Sequence, residues 1–452
     1  MNVALIVLAA GKGTRMKSDL PKVLHQIGNA PMLSHALTAG AALEPIRTVV
    51  VTGHGADAVE AAAHAHDASA VTVLQEPQLG TAHAVAQAAP ALAGFEGDAI
   101  VLYGDTPFIR PQTLAAMAEA RRAGADVVVL GFDAADPGRY GRLVTDGDDL
   151  LRIVEYKDAS QAERAITLCN SGVVMADAET LLALVDAVGN DNAAGEYYLT
   201  DIVAIGRERG LTARIVRCAE AETRGVNSRA ELAAAEAAFQ AVRRAEALEA
   251  GVTMLAPETV YFSLDTEIER DAFIEQNVIF APGVTVESGA RIRAFSHLEG
   301  AHVSHGAVVG PFARLRPGAN LAEDVHIGNF VEVKNATLGP GTKANHLTYL
   351  GDARIGAGTN IGAGTITCNY DGVLKHRTEI GDRAFIGSDT MLVAPVRVGD
   401  DAMTGSGSVI TSDVPDTALG IGRARQTTKP GLAAKLRTHL LKLKAQRQRK
   451  GG

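Results

Sequence analysis

The sequence predicts two architectures in tandem, an α/β domain on a mostly parallel sheet and then a parallel β-helix. Three observations carry this. Short continuous apolar runs alternate with alanine-rich helical stretches up to about residue 228, and a glycine-rich turn follows the first run directly. Past Gly251, aliphatic residues recur at every sixth position, the spacing of a solenoid that turns one short strand at a time.

The first strand, Asn2 to Ala9, runs into Ala10-Gly11-Lys12-Gly13-Thr14-Arg15-Met16, with Pro21-Lys22 close behind. Glycines at the carboxyl end of a parallel strand let backbone N–H groups approach phosphate oxygens, and Lys12, Arg15 and Lys22 add positive charge. The turn reads as a nucleoside triphosphate site. It lacks the third glycine of a dinucleotide fingerprint and the Gly-Lys-Ser/Thr of a Walker loop, which disfavours hydride transfer and P-loop hydrolysis. Further strands are expected at Thr48 to Val51, Val71 to Leu74, Ile100 to Leu102 and Val127 to Leu130. Continuous apolar strands suit a sheet covered on both faces, with ligands at the carboxyl ends, where Tyr103-Gly104-Asp105-Thr106-Pro107 also falls.

Ser228 followed by Glu231 has capping-box spacing, and alanine-rich sequence then runs to Glu249 before Gly251, so one connecting helix is expected. The boundaries read as 1–228 for the α/β domain, 229–250 for the linker, 251–430 for the β-helix and 431–452 for a basic tail. Within the β-helix, Ile268, Ile274, Phe280, Val286, Ile292 and Leu298 give way, after a one-residue slip, to Val303, Val309, Leu315, Leu321, Ile327 and Val333. The pattern returns at Ile355 and Ile361 and, past a longer insert, at Ile380, Ile386, Leu392, Val398, Thr404 and Ile410. Each inward residue fills a narrow interior, and neighbouring Gly, Asp or Asn permits the turn.

A chain of 452 residues exceeds one ordinary core, and 47% hydrophobic content supports folded domains. The net charge of −9 argues against nucleic-acid binding, and no apolar run approaches the ~20 residues of a transmembrane helix. Cys169, Cys218 and Cys368 are scattered and odd in number, as suits a reducing, cytoplasmic setting, and the pairs His64/His66 and His302/His305 lack partners at metal-site spacing. From Gly431 onward, Lys435, Arg437, Lys442, Lys444, Arg447, Arg449 and Lys450 occur without an acid, while Leu432, Leu436, Leu440 and Leu443 recur at helical spacing. The tail reads as a solvated extension, with an anionic membrane or the phosphates of a coenzyme as alternative neighbours.

The opening LAAGKGTRMKSDLPKVL resembles the signature of the sugar-nucleotide pyrophosphorylases. The segments Gln75 to Ala84, YGDTP, YGR (Tyr140 to Arg142), VEYKDA (Val154 to Ala159), CNSG (Cys169 to Gly172), GEYYLTD (Gly195 to Asp201) and GVNSR (Gly225 to Arg229) follow in that family's order. With the hexads, nearly the whole chain resembles the bacterial bifunctional N-acetylglucosamine-1-phosphate uridylyltransferase/glucosamine-1-phosphate acetyltransferases. The resemblance implies a Rossmann-like nucleotidyltransferase domain, a left-handed β-helix and a homotrimer. It also implies UTP and acetyl-CoA as co-substrates and glucosamine 1-phosphate and N-acetylglucosamine 1-phosphate as substrates. By it, Arg15 and Lys22 are catalytic, and Mg²⁺ is held by Asp105 and Asn227. Leu8, Ala10, Gln75, Gly80 and Thr81 face the uridine, Gly141, Glu155 and Asn170 face the sugar, and Ala9, Gly11, Lys22, Tyr103, Gly104, Asp105 and Asn227 complete the uridylyl site. Ala82 stands where the family commonly has glycine.

In the β-helix the resemblance makes His346 the general base of acetyl transfer, a task that suits imidazole with its ordinary pKa of about 6.5. Arg316 and Lys334 would hold the sugar phosphate, Tyr349, Asn360, Asn369 and Tyr370 would surround the sugar, and Ala363, Ser388, Ser406 and Arg423 would face acetyl-CoA. Asn345 and Ser406 depart from the family pattern. Two alternatives stay open from the sequence: a single-activity pyrophosphorylase with a regulatory β-helix, and a non-catalytic sugar-nucleotide scaffold.

Overall fold

The computed structural model describes residues 2–147 and 149–450; Met1, Asp148 and the last two residues of the expected tail, Gly451 and Gly452, lie outside the described residues. By backbone contacts the chain forms two units, one running through Glu267 and including Ile279–Val284, the other comprising Ile268–Val278 and the chain from Thr285.

The first unit is built on a nine-stranded sheet in the order Val71–Leu74, Arg47–Thr52, Val3–Leu8, Asp98–Tyr103, Leu168–Asp177, Val127–Asp133, Ala213–Cys218, Asp149–Val154, Arg142–Asp146. Helices bury both faces: Met32–Ala41, Ala56–His66 and Pro111–Arg122 on one side, Thr81–Ala86, Ala178–Asp186 and Ile202–Glu208 on the other. That is why Val3–Leu8 is apolar at every position and wholly buried. The first four strands are parallel, so Leu8, Thr52, Leu74 and Tyr103 end on one edge. The sheet is more mixed than expected. Leu168–Asp177 runs antiparallel to both neighbours, with a register shift between Asn170 and Val174, and Val71–Leu74 is an edge strand with Val71 and Leu74 exposed.

The helix Arg229–Glu249 begins as its sequence demands: the Ser228 hydroxyl accepts the Glu231 N–H at 3.2 Å. Glu231 reaches back to the Asn227 N–H at 2.6 Å, one residue before the N-cap, and so fixes a predicted ligand of the metal. The helix packs within the first unit, where Phe239 lies against Gly28 and Gln240 exchanges two hydrogen bonds with the Phe262 backbone at 2.7 and 2.8 Å.

The second unit stacks short parallel strands in three rows. One follows Arg291–Ile292, Val308–Val309, His326–Asn329, Lys343–His346, Asn360–Ile361 and Phe385–Ile386. The long strands Glu332–Leu338 and Tyr349–Ile355 each bend from the second row into the third. The hexad residues from Ile274 to Ile410 within this unit are buried as expected. The apparent gap after Val333 is filled by Leu338, Ala344 and Leu350, all buried and six apart, so the repeat is continuous there. The later interruption is real: residues 369–377 leave the coil as a loop bridged at Tyr370 and Lys375.

Candidate active sites

In the first unit the predicted residues gather beyond the carboxyl ends of the parallel strands. Gly104 N–H donates to the Leu8 carbonyl at 2.9 Å, and the Ala10 carbonyl accepts the Gln78 amide at 2.6 Å, so the chain leaves the sheet in a fixed direction. Gly11 to Arg15 are mostly exposed, and Gly13 takes a left-handed φ of 57°. A Cβ there would sit 2.6 Å from Lys22 Cβ, so the lysine stem runs directly over the loop glycine. The Lys22 ammonium forms an ion pair with Asp105 and donates to Asn227 Oδ1 at 3.0 Å. The sequence places these three residues far apart, and the fold brings them to one point. Arg15 stays on the exposed loop, without an ion pair among the described residues.

Gln75, buried at the end of its strand, donates to the Gly80 carbonyl at 2.9 Å and lies 3.1 Å from His83 Nδ1. Gly80 has no room for a side chain, since a Cβ would meet the Tyr197 backbone N at 2.7 Å. Thr81 accepts the Leu199 N–H at 3.0 Å, and Ala82 N–H donates to the Tyr197 carbonyl at 3.0 Å. Tyr103 is half-buried beside Thr81, Asp105 and Glu155, and loss of solvent raises its pKa far above the ordinary phenol range. A cavity lined by Tyr103, Ile153, Asn170, Gly172, Leu199 and Thr200 opens next to it. Gly141 accepts the Asn170 N–H at 2.8 Å, and a Cβ on it would lie 3.5 Å from Glu155 Oε1, which brings the three sugar-facing residues together. Glu155 accepts Thr200 Oγ1 at 3.3 Å, and its pKa is raised first by burial, with Asp201, Asp158 and Glu196 adding repulsion. Gln78, Tyr197 and Thr200 were missed as individual site residues, although the quoted segments contain them.

In the second unit His346 ends the strand Lys343–His346, and its Nδ1 lies 3.2 Å from Asn329 Oδ1 in the adjacent coil. An amide oxygen accepts, so this contact suits a proton on Nδ1. Arg316 donates to Glu332 at 2.8 Å, a bond that raises its pKa, and Tyr349 lies nearby. Lys334 stands within hydrogen-bonding reach of Lys375, and that contact and then the charge of Lys375 lower the Lys334 pKa, with Asp352 opposing. Asp352 in turn accepts Asn335 at 2.6 Å and bonds Asn369. The Tyr370 hydroxyl donates to Gly372 within its own loop, and that loop is also tied by His376 to Asp371 at 2.7 Å; this partner and two backbone N–H groups hold the Asp371 carboxyl down at about 2. Asn360 pairs with Lys343 and Phe385 on the His346 row. Ala363 and Ser388 follow one another up a neighbouring corner, where Asp389 N–H donates to Ala363 and Gly407 N–H to Ser388, both at 2.7 Å. Ser406 and the exposed Arg423 lie beyond, with Arg423 Cδ 4.0 Å from a Cβ built on Gly407. Asn329, Asp352 and Lys375 escaped the sequence reading.

Among the described residues no group of three or more His, Cys, Asp or Glu side chains could hold a metal, and no helix is long and apolar enough to cross a membrane. His302 pairs with Glu287 at 2.8 Å and His64 with the Ala70 carbonyl, while all three cysteines are free.

A glycine loop with Lys22, Asp105 and Asn227 gathered at the strand ends, followed by a hexad solenoid, defines a nucleotidyltransferase domain joined to a hexapeptide-repeat transferase domain. The family comparisons agree: residues 5–195 match the MobA-like NTP transferase domain, and residues 377–412 match the bacterial transferase hexapeptide. The chain is 70% identical to the bifunctional protein GlmU of Cereibacter sphaeroides ATCC 17025, over 96% of this chain and 95% of that one. It is 66% identical to that of Paracoccus denitrificans over 99% of both, and 65% identical to that of Jannaschia sp. over 98% and 97%. The chain belongs to the GlmU family of bifunctional proteins, and its solenoid is a left-handed β-helix.

Proposed function

We propose that the two clusters are the two active sites of one enzyme of UDP-N-acetylglucosamine synthesis. The β-helix acetylates glucosamine 1-phosphate from acetyl-CoA, and the α/β unit then transfers UMP from UTP to N-acetylglucosamine 1-phosphate with release of pyrophosphate. The observation that carries the residue assignment is the convergence of Lys22, Asp105 and Asn227 behind the phosphate loop, accompanied in the other unit by a histidine held at Nδ1 by Asn329 and by the cations Arg316, Lys334 and Lys375.

For uridylyl transfer, a phosphate oxygen of the sugar 1-phosphate bonds to the α-phosphorus of UTP and the bond to pyrophosphate breaks. A phosphate monoester ionises with a second pKa of about 6, so the nucleophile needs no general base. The protein positions and neutralises: Gly11 and Gly13 let the loop wrap the phosphates, and Arg15 and Lys22 balance charge on the leaving group. Leu8, Ala9, Ala10, Gln75, Gly80 and Thr81 face the base, and Tyr103, Gly141, Glu155 and Asn170 face the acetamido sugar. A carboxylate and a carboxamide oxygen that already share one cation suit a hard divalent ion, so Asp105 and Asn227 would hold Mg²⁺, with phosphate and water completing its shell. When bound, the ion would neutralise charge on the phosphates.

For acetyl transfer, the substrate amine attacks the thioester carbonyl, His346 Nε2 accepts the proton that the nitrogen sheds, and the CoA thiolate leaves. Arg316, Lys334 and Lys375 hold the sugar phosphate, Tyr349, Asn360, Asn369 and Tyr370 border the sugar, and Ala363, Ser388, Ser406 and Arg423 line the coenzyme's path. The reading includes a homotrimer. Phe295, Phe312 and Phe330 stack at 4.9 and 5.5 Å up one corner and, with Leu347 next to His346, stand exposed at left-handed φ, an apolar stripe suited to other copies of the chain. A cytoplasmic setting accords with the three free thiols. A panel of nucleoside triphosphates against sugar 1-phosphates, with and without acetyl-CoA, tests the reading. UTP with N-acetylglucosamine 1-phosphate should release pyrophosphate, and thiol release should require glucosamine 1-phosphate; thiol release with no sugar preference would remove the acetyltransferase assignment.

A further inference from the structure

We propose that Lys22 is an internal cation that occupies the metal's place between Asp105 and Asn227 until nucleotide arrives, so that metal and Lys22 exchange rather than coexist there. The inference rests on the reading of Asp105 and Asn227 as metal ligands. Both side chains that would bind a divalent ion are already engaged by one ammonium, through an ion pair to Asp105 and a 3.0 Å hydrogen bond to Asn227 Oδ1. The pair is shielded, with Lys22 and Asp105 side chains only 13% and 21% exposed, so water cannot solvate a bare Asp105 fully. A tethered ammonium satisfies that carboxylate at no cost of association, and free metal must displace it.

Nucleotide changes the balance because of where the Lys22 stem lies. The stem crosses Gly13, with Cβ, Cγ and Cδ 2.6, 3.3 and 3.4 Å from the position a Cβ would take there. Phosphates cradled by the loop therefore offer the ammonium a new anionic partner within reach of side-chain rotation. The backbone need not move, because Val23 anchors the turn against Gly104, 3.1 Å from where that glycine's Cβ would be. Phosphate draws Lys22 off Asp105 as the metal that accompanies it fills the vacated place. Binding of metal and UTP is then mutually reinforcing by a common factor. The exchange also keeps the site from trapping metal without substrate.

Binding of Mn²⁺ to full-length, metal-stripped protein, followed by the electron paramagnetic resonance of the free ion, tests this without any turnover. The unmodified protein should bind Mn²⁺ weakly alone and at least about tenfold more tightly with UTP present. Lys22→Met should bind Mn²⁺ alone about tenfold more tightly than the unmodified protein and gain less from UTP, while Lys22→Arg, which keeps the charge, should stay weak. Lys22→Gln replaces the methionine variant if the latter does not fold. If the neutral variants bind Mn²⁺ alone no better than the unmodified protein, while Asp105→Ala still abolishes binding with UTP, the exchange is wrong and the metal site stands. If Asp105→Ala leaves Mn²⁺ binding with UTP intact, the metal site itself is wrong and the exchange falls with it.

Discussion

Glu155 shows how a site residue can oppose the fold that holds it. Burial and three neighbouring acids raise its pKa, so the folded state binds that proton more tightly than the unfolded chain does. The stability cost of the carboxylate is absent below the unfolded pKa and grows as pH rises through the raised folded value. Glu155→Gln should therefore raise Tm near pH 7 by about 2 °C and lose that advantage in acid, as calorimetry can read. The same substitution should raise KM for the sugar phosphate about tenfold, because an amide cannot match a carboxylate as acceptor. His346 is the opposite case, an exposed side chain whose removal costs little packing. His346→Ala should lower acetyl transfer by about 10² to 10⁴, with partial recovery at high pH where more substrate amine is neutral. A folded variant that acetylates within a few-fold of the unmodified protein across pH would remove His346 from the role.

At the scale of the element, legibility followed how local each feature is. The capping residue Ser228 and the loop glycines act within four residues of themselves, and both were readable. The direction of Leu168–Asp177 was not, because pairing is decided by strands far away in sequence. In the β-helix, partners stand one coil apart: Asn329 with His346, Asn335 with Asp352, and Asp352 with Asn369, each separated by 17 residues. Adding one coil to a polar residue would have found Asn329 and Asp352, whereas Lys375 sits in the loop that leaves the coil and has no such signal. Ala344 hid a continuous hexad because a small residue at an inward position looks like a gap. Two elements can be tested directly. Gly13→Ala forces a left-handed φ on alanine and pushes on the Lys22 stem, so uridylyl transfer should fall about tenfold with acetyl transfer unchanged in parallel assays. Phe312→Asp puts a charge into the middle of the stacked phenylalanines; sedimentation should show loss of the trimer, and acetyl transfer should fall while uridylyl transfer persists.

For the molecule as a whole, the change of period from α/β alternation to hexads made both architectures readable, and motif order made both chemistries readable. That Lys22, Asp105 and Asn227 share one site was readable from the resemblance, but the direct engagement of Asp105 and Asn227 by the Lys22 ammonium was not, since it depends on a fold that joins positions 83 and 205 residues apart. The central claim is that two chemistries occupy two units of one chain. It is tested most directly by supplying glucosamine 1-phosphate, acetyl-CoA and UTP together and following CoA thiol, pyrophosphate and sugar products. The unmodified protein should release thiol and pyrophosphate in step. Asp105→Ala should release thiol alone and accumulate N-acetylglucosamine 1-phosphate, and His346→Ala should release almost no pyrophosphate until supplied with N-acetylglucosamine 1-phosphate, then do so at the unmodified rate. Loss of both activities in either folded variant, or undiminished pyrophosphate release by His346→Ala from the unacetylated sugar, would contradict it.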